Sequence, residues 1–340
     1  MSLLQLIEKH WYIRINIILL IILLPISLIY WIITSIRKFC YAKKIFKSYK
    51  LNVPVVIIGN ISVGGVGKTP LTKYISQELQ QIGIPVGVIL RGYKGNAKSS
   101  MIVKVDSDSL TVGDEALIYA QYGIPVAIGR DRYDAGLTLL AEYPDIKLIL
   151  SDDGLQHYRL QRDYEIAVID ATRFLGNKFV LPMGPLRETP SRLKTVNAIV
   201  INGDMININH KLNNYLTNPN TLNINQEVIL LDFYNPVTNE SQLATYFTNT
   251  KIIVIAAMGN PQRFFNFIYT SGVKIFDKKA FPDHFNYTTK NIPNNYDVIL
   301  VTEKDYTKLK PLNNPKIWIV RVTIKLDSGK LIKEISELII

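Results

Sequence analysis

The residues from Val55 to Pro70 combine a glycine-rich turn with a lysine and a hydroxyl group, a combination that suits phosphate binding. An apolar run, V-V-I-I-G, precedes the turn S-V-G-G-V-G-K-T, and a helix-compatible run extends from Leu71 to Gln81. The backbone N–H groups of such a turn point toward a bound phosphate, and the N-terminal dipole of the following helix adds to the attraction. Lys68 is therefore predicted to contact the β- and γ-phosphates, and Thr69 to hold Mg²⁺.

The turn departs at one position from the usual eight-residue pattern, which begins with glycine, because Ser62 stands there. The strand before the turn and the helix after it are nevertheless the context that the motif requires. A glycine turn without chemical use would not explain a lysine and a threonine at the start of the helix. The predicted phosphate-binding residues are Ser62, Val63, Gly64, Gly65, Val66, Gly67, Lys68 and Thr69.

Two adjacent carboxylates, Asp152 and Asp153, follow the apolar run at 146–150. Mg²⁺ prefers carboxylate and phosphate oxygens, so a strand that ends in acids beside a phosphate loop predicts a magnesium site. The sequence D-D-G is also a common turn signal. The phosphate loop in the same predicted sheet favours the metal site, and the choice between the two aspartates stays open.

Asp114 and Glu115 begin a helical stretch, where acids interact favourably with the helix dipole. Alternatively, Asp114 serves as a base that accepts the proton of an acceptor hydroxyl, provided that it faces the γ-phosphate. Two of the four histidines lie near other candidate residues: His157 follows the aspartate pair, and His284 lies in F-P-D-H. A single histidine is more often structural, and only this proximity makes the two of interest.

Arg187 and Glu188 end a rigid proline- and glycine-rich segment, L-P-M-G-P-L-R-E. A chemical role for Arg187 would be to stabilise charge on a transferring phosphoryl group, with Glu188 near the metal. From these residues alone, a loop with an exposed ion pair is the better explanation.

The elements that position these residues follow from apolar runs of strand length, separated by segments of helical length. The alternation predicts the α/β class, with a mostly parallel sheet of the P-loop type whose site lies at the carboxyl ends of the strands. Further runs predict a second, smaller α/β domain. The runs are 53–58, 84–90, 124–128, 146–150 and 165–169 for the first domain, and 227–231, 252–257, 297–301 and 316–320 for the second.

Composition indicates a membrane segment near the N-terminus of this 340-residue, 48% hydrophobic chain. Residues 17–33 carry no charge and just reach the length of a membrane span, whereas Pro25 and the basic residues from Arg37 onward suit a helix in the interface equally well. Of the net charge of +11, residues 1–50 carry +7. This location favours an anionic membrane surface over nucleic acid, and the basic flank places the rest of the chain in the cytoplasm.

Three regions are therefore predicted: a membrane-anchoring helix at 1–36, a nucleotide-binding domain at 37–205 and a second domain at 206–340 that closes over the site. The single cysteine, Cys40, excludes a disulfide framework and cysteine-based zinc sites. We expect a monomer.

Ordered blocks along the chain resemble the bacterial tetraacyldisaccharide 4'-kinases, which are the lipid A 4'-kinases. The resemblance extends from Pro25 to Leu309 and is weakest in the Asn-rich middle. Ser62 agrees with the family, which carries a hydroxyl residue there, whereas Phe285 departs from the His or Tyr of many relatives and leaves the packing beside His284 open. The blocks are P-I-S-L-I-Y at 25–30, G-N-I-S-V-G-G-V-G-K-T-P at 59–70, R-G-Y at 91–93, V-G-D-E at 112–115, D-D-G-L-Q-H at 152–157, R-D at 162–163, L-P-M-G-P-L-R-E at 181–188, M-G-N-P-Q-R-F-F at 258–265, F-P-D-H at 281–284 and T-E-K-D at 302–305.

The resemblance implies transfer of the ATP γ-phosphate to the 4'-hydroxyl of a tetraacylated, 1-phosphorylated glucosamine disaccharide at the cytoplasmic face of the bacterial inner membrane. It also implies two α/β/α lobes that close over the nucleotide and an N-terminal helix in the membrane. Lys68 and Thr69 would bind phosphate and Mg²⁺, and Asp114 would be the base. The other residues that the resemblance implicates are His284 as the assistant of the base, Asp152 or Asp153 as metal ligands, and Arg187 with Glu188 at the phosphoryl-transfer site.

Two functions from other classes remain alternatives at this point. A membrane-associated P-loop ATPase could act as a switch for a protein partner, and a module without enzymatic activity could simply bind nucleotide. A switch needs no carboxylate base, so Asp114→Ala would spare a switch and cripple a kinase. Lys68→Ala would test ATP binding by a module of the last kind.

Overall fold

One mixed sheet with helices packed on both faces runs through the described part of the chain. The computed structural model describes residues 3–204, 208, 212, 215, 219–283 and 285–339. The α-helices are α1 (Leu3–Tyr12), α2 (Ile17–Ala42), α3 (Lys68–Gln81), α4 (Ser109–Val112), α5 (Asp114–Gln121), α6 (Arg132–Glu142), α7 (Pro261–Thr270), α8 (Glu303–Leu309) and α9 (Gly329–Ser336). Short 3₁₀ helices occupy Pro190–Thr195, Ala244–Phe247, Thr289–Asn291, Lys310–Leu312 and Glu337–Ile339.

The strands confirm the predicted α/β class and most of the predicted apolar runs. They are β1 (Val55–Gly59), β2 (Val86–Leu90), β3 (Met101–Val103), β4 (Val126–Ile128), β5 (Leu148–Asp152), β6 (Tyr164–Asp170), β7 (Ala198–Asn202), β8 (Leu222–Asn235), β9 (Glu240–Gln242), β10 (Ile252–Ala256), β11 (Asp277–Ala280), β12 (Val298–Thr302) and β13 (Ile317–Leu326).

The sheet order is β11-β10-β12-β13-β8-β7-β6-β1-β5-β2-β4-β3, with β9 paired to β8. The strands from β7 to β4 pair in parallel, as do those from β11 to β13, and β8 with β13 pairs antiparallel. Helical crossovers between parallel strands put the loops after the central strands β1, β5 and β6 at one edge of the sheet. The phosphate loop and the two adjacent aspartates therefore lie side by side.

Each half of the sheet is buried on both faces, which explains why its central strands are continuous apolar runs. In β1, Val56 and Ile58 join one buried cluster with α3, whereas Val55 and Ile57 join the cluster on the opposite face. In β10, alternate residues divide in the same way between two further clusters. The long strand β8 links the halves, because it pairs with β7 at its start and with β13 over most of its length. The division at 36/37 and 205/206 into separate domains stays a prediction.

Helix α2 is the one helix in the described residues that is long and apolar enough to cross a membrane, on the grounds of length and composition. Its most apolar window is only 6% buried within the protein. Pro25 lies inside this helix, and a separate short helix, α1, precedes it. An apolar N-terminal helix of this kind is compatible with membrane association.

Candidate functional site

The phosphate loop connects β1 to α3, and neighbouring strands hold its backbone in place. Gly67 precedes α3 with φ of +93°, a conformation that favours glycine, and a Cβ at this position would lie 2.3 Å from Nδ2 of Asn202. Nδ2 of Asn202 donates to the carbonyl of Val66 (2.8 Å), and Nε2 of Gln226 donates to the carbonyl of Gly67 (3.2 Å). Because these carbonyls are held toward the sheet, the opposite side of the loop is left for its N–H groups. Asn202 and Gln226 were not predicted from the sequence.

The other predicted loop residues differ in their exposure. Gly64 and Gly65 are exposed, Val63 is half-buried, and Thr69 is half-buried as the second residue of α3. Ser62 is buried and forms a backbone bridge with Leu186. The 181–188 segment therefore packs directly against the phosphate loop.

Lys68 lies between the loop and the aspartate pair. Its Nζ is 3.3 Å from Oδ1 of Asn60 and 3.4 Å from Oδ1 of Asp153. Nδ2 of Asn60 in turn donates to the carbonyl of Ser62 (2.6 Å). The ammonium group is thus held next to the loop, and only 13% of the side chain is exposed.

Asp153 is the centre of a charge group formed with Lys68 and Arg187. Nη1 of Arg187 donates to both carboxylate oxygens, at 2.7 Å and 2.9 Å. Burial alone would raise the pKa of Asp153, but the charges of Lys68 and Arg187 outweigh it and hold that pKa well below its ordinary value. Two sequence-predicted residues that are 34 positions apart, Asp153 and Arg187, are therefore brought together. Arg187 pairs with Asp153 rather than with its neighbour Glu188.

Asp152 differs from Asp153 in its surroundings. It is 2% exposed, and its Oδ2 accepts a hydrogen bond from the hydroxyl of Tyr119 (2.6 Å). Its Oδ1 is buried with no hydrogen-bond partner among the described residues. Burial first, and the negative charge of Glu115 second, raise the pKa of Asp152 to about 6. A buried carboxylate oxygen without a partner is costly in an apolar setting and fits a position facing a cation.

A buried guanidinium lies behind the aspartate pair. Arg132, which is 3% exposed, donates through Nη1 to the carbonyl of Gly129 (3.1 Å) and through Nη2 to the carbonyl of Asp152 (3.3 Å). Burial lowers the pKa of Arg132 to about 10, although Asp153 and Asp152 act against the shift. No role for Arg132 was predicted from the sequence.

Asp114 is the first residue of α5 and is 4% exposed. One of its carboxylate oxygens, Oδ2, is 3.1 Å from Nζ of Lys308, which reaches it from α8. The same helix α5 carries Tyr119, the partner of Asp152. Asp114 therefore lies on the helix that packs against the aspartate pair. Its predicted assistant, His284, lies outside the described residues.

Glu188 has protein partners on both carboxylate oxygens. Nε2 of Gln156 donates to Oε1 (2.8 Å), and the hydroxyl of Tyr158 donates to Oε2. Nε of Arg192 lies 3.7 Å from Oε2. The role of Glu188 as a metal ligand stays a prediction, and these contacts hold its carboxylate beside Arg187.

His157 has a structural environment. Its Nε2 accepts a hydrogen bond from the backbone N–H of Arg132 (3.2 Å), at the start of α6. Burial first, and the charge of Arg132 second, lower the pKa of His157 to about 4. A neutral imidazole that accepts a backbone N–H stabilises the helix terminus.

The donor set fits Mg²⁺ with help from phosphate oxygens. The described residues include no cluster of three or more His, Cys, Asp and Glu side chains that could hold a metal. Mg²⁺ usually takes one or two carboxylates and completes its octahedron with phosphates and waters. The unpartnered Oδ1 of Asp152 and the hydroxyl of Thr69 fit such a site.

Comparison with known proteins assigns the chain to one family. Residues 19–340 match the family model described as LpxK, tetraacyldisaccharide-1-P 4'-kinase. A tetraacyldisaccharide 4'-kinase from Chromobacterium violaceum is 40% identical over 329 residues, which are 95% of this chain and 94% of that protein. Another from Pasteurella multocida is 39% identical over 327 residues, 95% of each chain.

A solved structure supports the same assignment. The fold matches the crystal structure of LpxK from Aquifex aeolicus in complex with ATP, with a TM-score of 0.79 and 26% identity over 93% of this chain and 98% of that one. The chain therefore belongs to the tetraacyldisaccharide-1-P 4'-kinase family.

Proposed function

We propose that this chain transfers the γ-phosphate of ATP to the 4'-hydroxyl of a tetraacylated glucosamine disaccharide 1-phosphate, a step of lipid A biosynthesis. The observation that carries the proposal is the charge group that Lys68, Asp153 and Arg187 form beside the phosphate loop. Beside it, Oδ1 of Asp152 is buried and has no hydrogen-bond partner among the described residues. Phosphoryl transfer depends on positioning and on stabilising charge, and this cluster supplies both.

In this mechanism the loop N–H groups and Lys68 bind the phosphates of ATP. In the structure described here, Nζ of Lys68 lies 3.4 Å from Oδ1 of Asp153. When ATP binds, Lys68 exchanges this contact for contacts with phosphate oxygens. Asp153 keeps its two hydrogen bonds to Arg187, and that guanidinium is held in place to stabilise charge on the transferring group.

Thr69 and Asp152 are the first candidates to hold Mg²⁺, with Asp153 and Glu188 as further carboxylates near them. When bound, the ion would neutralise charge on the β- and γ-phosphate oxygens. Tyr119 holds Asp152 through Oδ2, which leaves Oδ1 without a hydrogen-bond partner among the described residues.

Asp114 is proposed as the base that accepts the proton of the sugar hydroxyl, and His284 as its assistant. Nζ of Lys308 lies 3.1 Å from Oδ2 of Asp114 and holds this carboxylate in place. The place of Asp114 at the start of α5, the helix that also carries Tyr119, supports this role.

We further propose that the chain works as a monomer at the cytoplasmic face of the bacterial inner membrane, with α2 as the anchor and anionic lipid beside its basic flank. A tetraacylated acceptor leaves a bilayer at a cost of about 0.8 kcal/mol per CH₂ group, so the enzyme has to come to the membrane. Closure of the 206–340 domain over the nucleotide is part of the same proposal.

The experiment follows labelled phosphate from ATP to the lipid disaccharide. We expect the full chain to form product, and Asp114→Ala to lower kcat about 10²- to 10⁴-fold, since it removes the base. Asp134→Ala is the matched control, because Asp134 is an exposed acid in the first turn of another helix, α6. Wild-type product formation by Asp114→Ala would contradict the assignment of the base, and no transfer by the unchanged chain would contradict the function.

A further inference from the structure

The apolar helix α2 has a buried polar side that contacts the segment leading to Arg187. Ser27 is 2% exposed, although it lies in the middle of the most apolar stretch of the chain. Its hydroxyl donates to the carbonyl of Val180 (3.1 Å) and accepts from the backbone N–H of Met183 (2.8 Å). One helical turn further, the hydroxyl of Tyr30 donates to the carbonyl of Arg187 (3.0 Å). Positions three apart on a helix share a face, so the two hydroxyls form one contact surface.

Helix α1 supports the same segment. The buried His10 accepts the backbone N–H of Asn16 on Nδ1 (2.8 Å), so its Nε2 carries the hydrogen that is shared with the carbonyl of Met183 (3.0 Å). Nε1 of Trp11 donates to the carbonyl of Pro182 (3.0 Å). Side chains from both N-terminal helices therefore bind the backbone between Val180 and Arg187.

The opposite side of this segment is bound to the phosphate loop. The N–H of Arg187 donates to the carbonyl of Ile61 (2.7 Å), and the N–H of Val63 donates to the carbonyl of Pro185 (2.8 Å). The backbone of Arg187 is thus held from both sides, by Tyr30 through its carbonyl and by the phosphate loop through its N–H. Its side chain extends from this fixed backbone to Asp153.

The other faces of α2 are free to meet lipid. Large apolar side chains there are between 58% and 69% exposed, namely Ile18, Ile21, Ile22, Ile29, Ile33 and Ile36. A soluble protein rarely exposes an apolar patch of this size. One helix therefore combines a face suited to the bilayer with a face that binds the catalytic segment.

We propose that Ser27 and Tyr30 are positioning residues for Arg187, so that the helix that attaches the chain to the membrane is also part of the support of the phosphoryl-transfer site. The proposal rests on the proposed role of Arg187 in the kinase reaction. Its consequence is that loss of one hydroxyl on α2 lowers turnover while the apolar surface that meets lipid stays complete.

The test compares single-hydroxyl variants of the full chain on vesicles that contain anionic lipid. Tyr30→Phe and Ser27→Ala each remove a contact to the segment, and we expect each to lower kcat about 3- to 10-fold with the KM for ATP changed less than about twofold. Sedimentation with vesicles stays unchanged. Thr34→Val is the matched control, because the partners of the Thr34 hydroxyl in the described part of the chain are the helix carbonyls of Tyr30 and Trp31.

A double-mutant cycle separates positioning from general support. If Tyr30 acts through Arg187, then Tyr30→Phe changes kcat less than about twofold when it is added to Arg187→Ala. The same fold loss in both backgrounds would overturn the proposal, as would unchanged kcat in both single variants. Absence of transfer by the unchanged chain would contradict the proposed function instead.

Discussion

Two lysines of helix α3 form two charge groups that have similar residue types but differ in how completely their polar atoms are paired. Lys68 contacts Asp153 beside Asp152, whose partner is Tyr119 of α5. Five residues later, Lys73 contacts Glu303 at 3.2 Å, and the partner of that carboxylate is Tyr122 (2.5 Å), the residue directly after α5.

The second group is complete. Nζ of Lys73 lies within hydrogen-bond distance of both oxygens of Glu303 and of the carbonyl of Val322 (2.9 Å), and 4.0 Å from the centre of the Tyr122 ring. Burial lowers the pKa of Lys73, and Glu303 opposes this shift. In the first group, one oxygen of Asp152 has no partner among the described residues. The complete pairing of the Lys73 group indicates a structural role, since it joins α3 and the end of α5 to α8 and β13. The missing partner of Asp152 indicates a place for a ligand.

The largest expected effect separates the groups by activity. Lys68→Ala should lower kcat about 10³-fold, which corresponds to about 4 kcal/mol, because it removes the cation that is proposed to contact the transferring phosphate. Unfolding free energy should change by less than about 1 kcal/mol, since Asp153 keeps Arg187. Steady-state kinetics and urea denaturation measure the two quantities. A loss of stability as large as the loss of activity would contradict the proposed difference between the two charge groups.

The second-largest expected effect is a loss of stability when the Lys73 group is broken. Lys73→Met should lower the free energy of unfolding by about 3 kcal/mol, because it leaves the carboxylate of Glu303 buried without its cation. Urea denaturation of the purified variant measures this loss. The double variant with Glu303→Gln serves as control and should recover most of the stability. An unchanged Lys73→Met protein would show that the pair is not structural.

The smallest effect compares two matched changes, one on α5 and one directly after it. Tyr119→Phe and Tyr122→Phe each remove one hydroxyl from a carboxylate, and each should cost about 1 kcal/mol of stability. Only Tyr119→Phe should also affect catalysis, lowering kcat about fivefold, because Asp152 is then less well held. Kinetics at limiting Mg²⁺ make the difference visible. Equal activity of the two variants would contradict the contrast.

Much of the fold was predictable from the sequence because buried parallel strands are continuous apolar runs. Strands such as β1, β5 and β10 were found in this way. β7 is equally apolar but follows a 3₁₀ segment, so the alternation of strand and helix does not reveal it. β9 and β11 are short and polar, E-S-Q and D-K-K-A, and resemble loops in the sequence. The sheet order was not predictable, because it depends on contacts distant in sequence.

Part of the candidate site was likewise predictable from local sequence patterns, and part of it was not. Lys68 and the aspartate pair belong to local patterns, and the family membership that the motifs indicated is confirmed. Their individual roles stay predictions. Asn202 carries no local signal, because its role is a hydrogen bond to the carbonyl of Val66, 136 residues away. Tyr119 and Lys308 lie on helices whose sequence gives no reason to place them against a carboxylate.

The pairing of β7 with β8 has a consequence for any shortened form of the protein. Ala198–Asn202 is hydrogen-bonded in parallel to Leu222–Gln226, so a chain that ended at residue 205 would present β7 as a bare edge strand. Its sequence, A-I-V-I-N, is apolar and uncharged, which is the kind of edge that pairs with other chains and aggregates. Such a fragment would also lack Gln226, whose Nε2 donates to the carbonyl of Gly67 in the phosphate loop. We therefore expect residues 1–205 alone to aggregate unless β8 is present to cover the edge of β7.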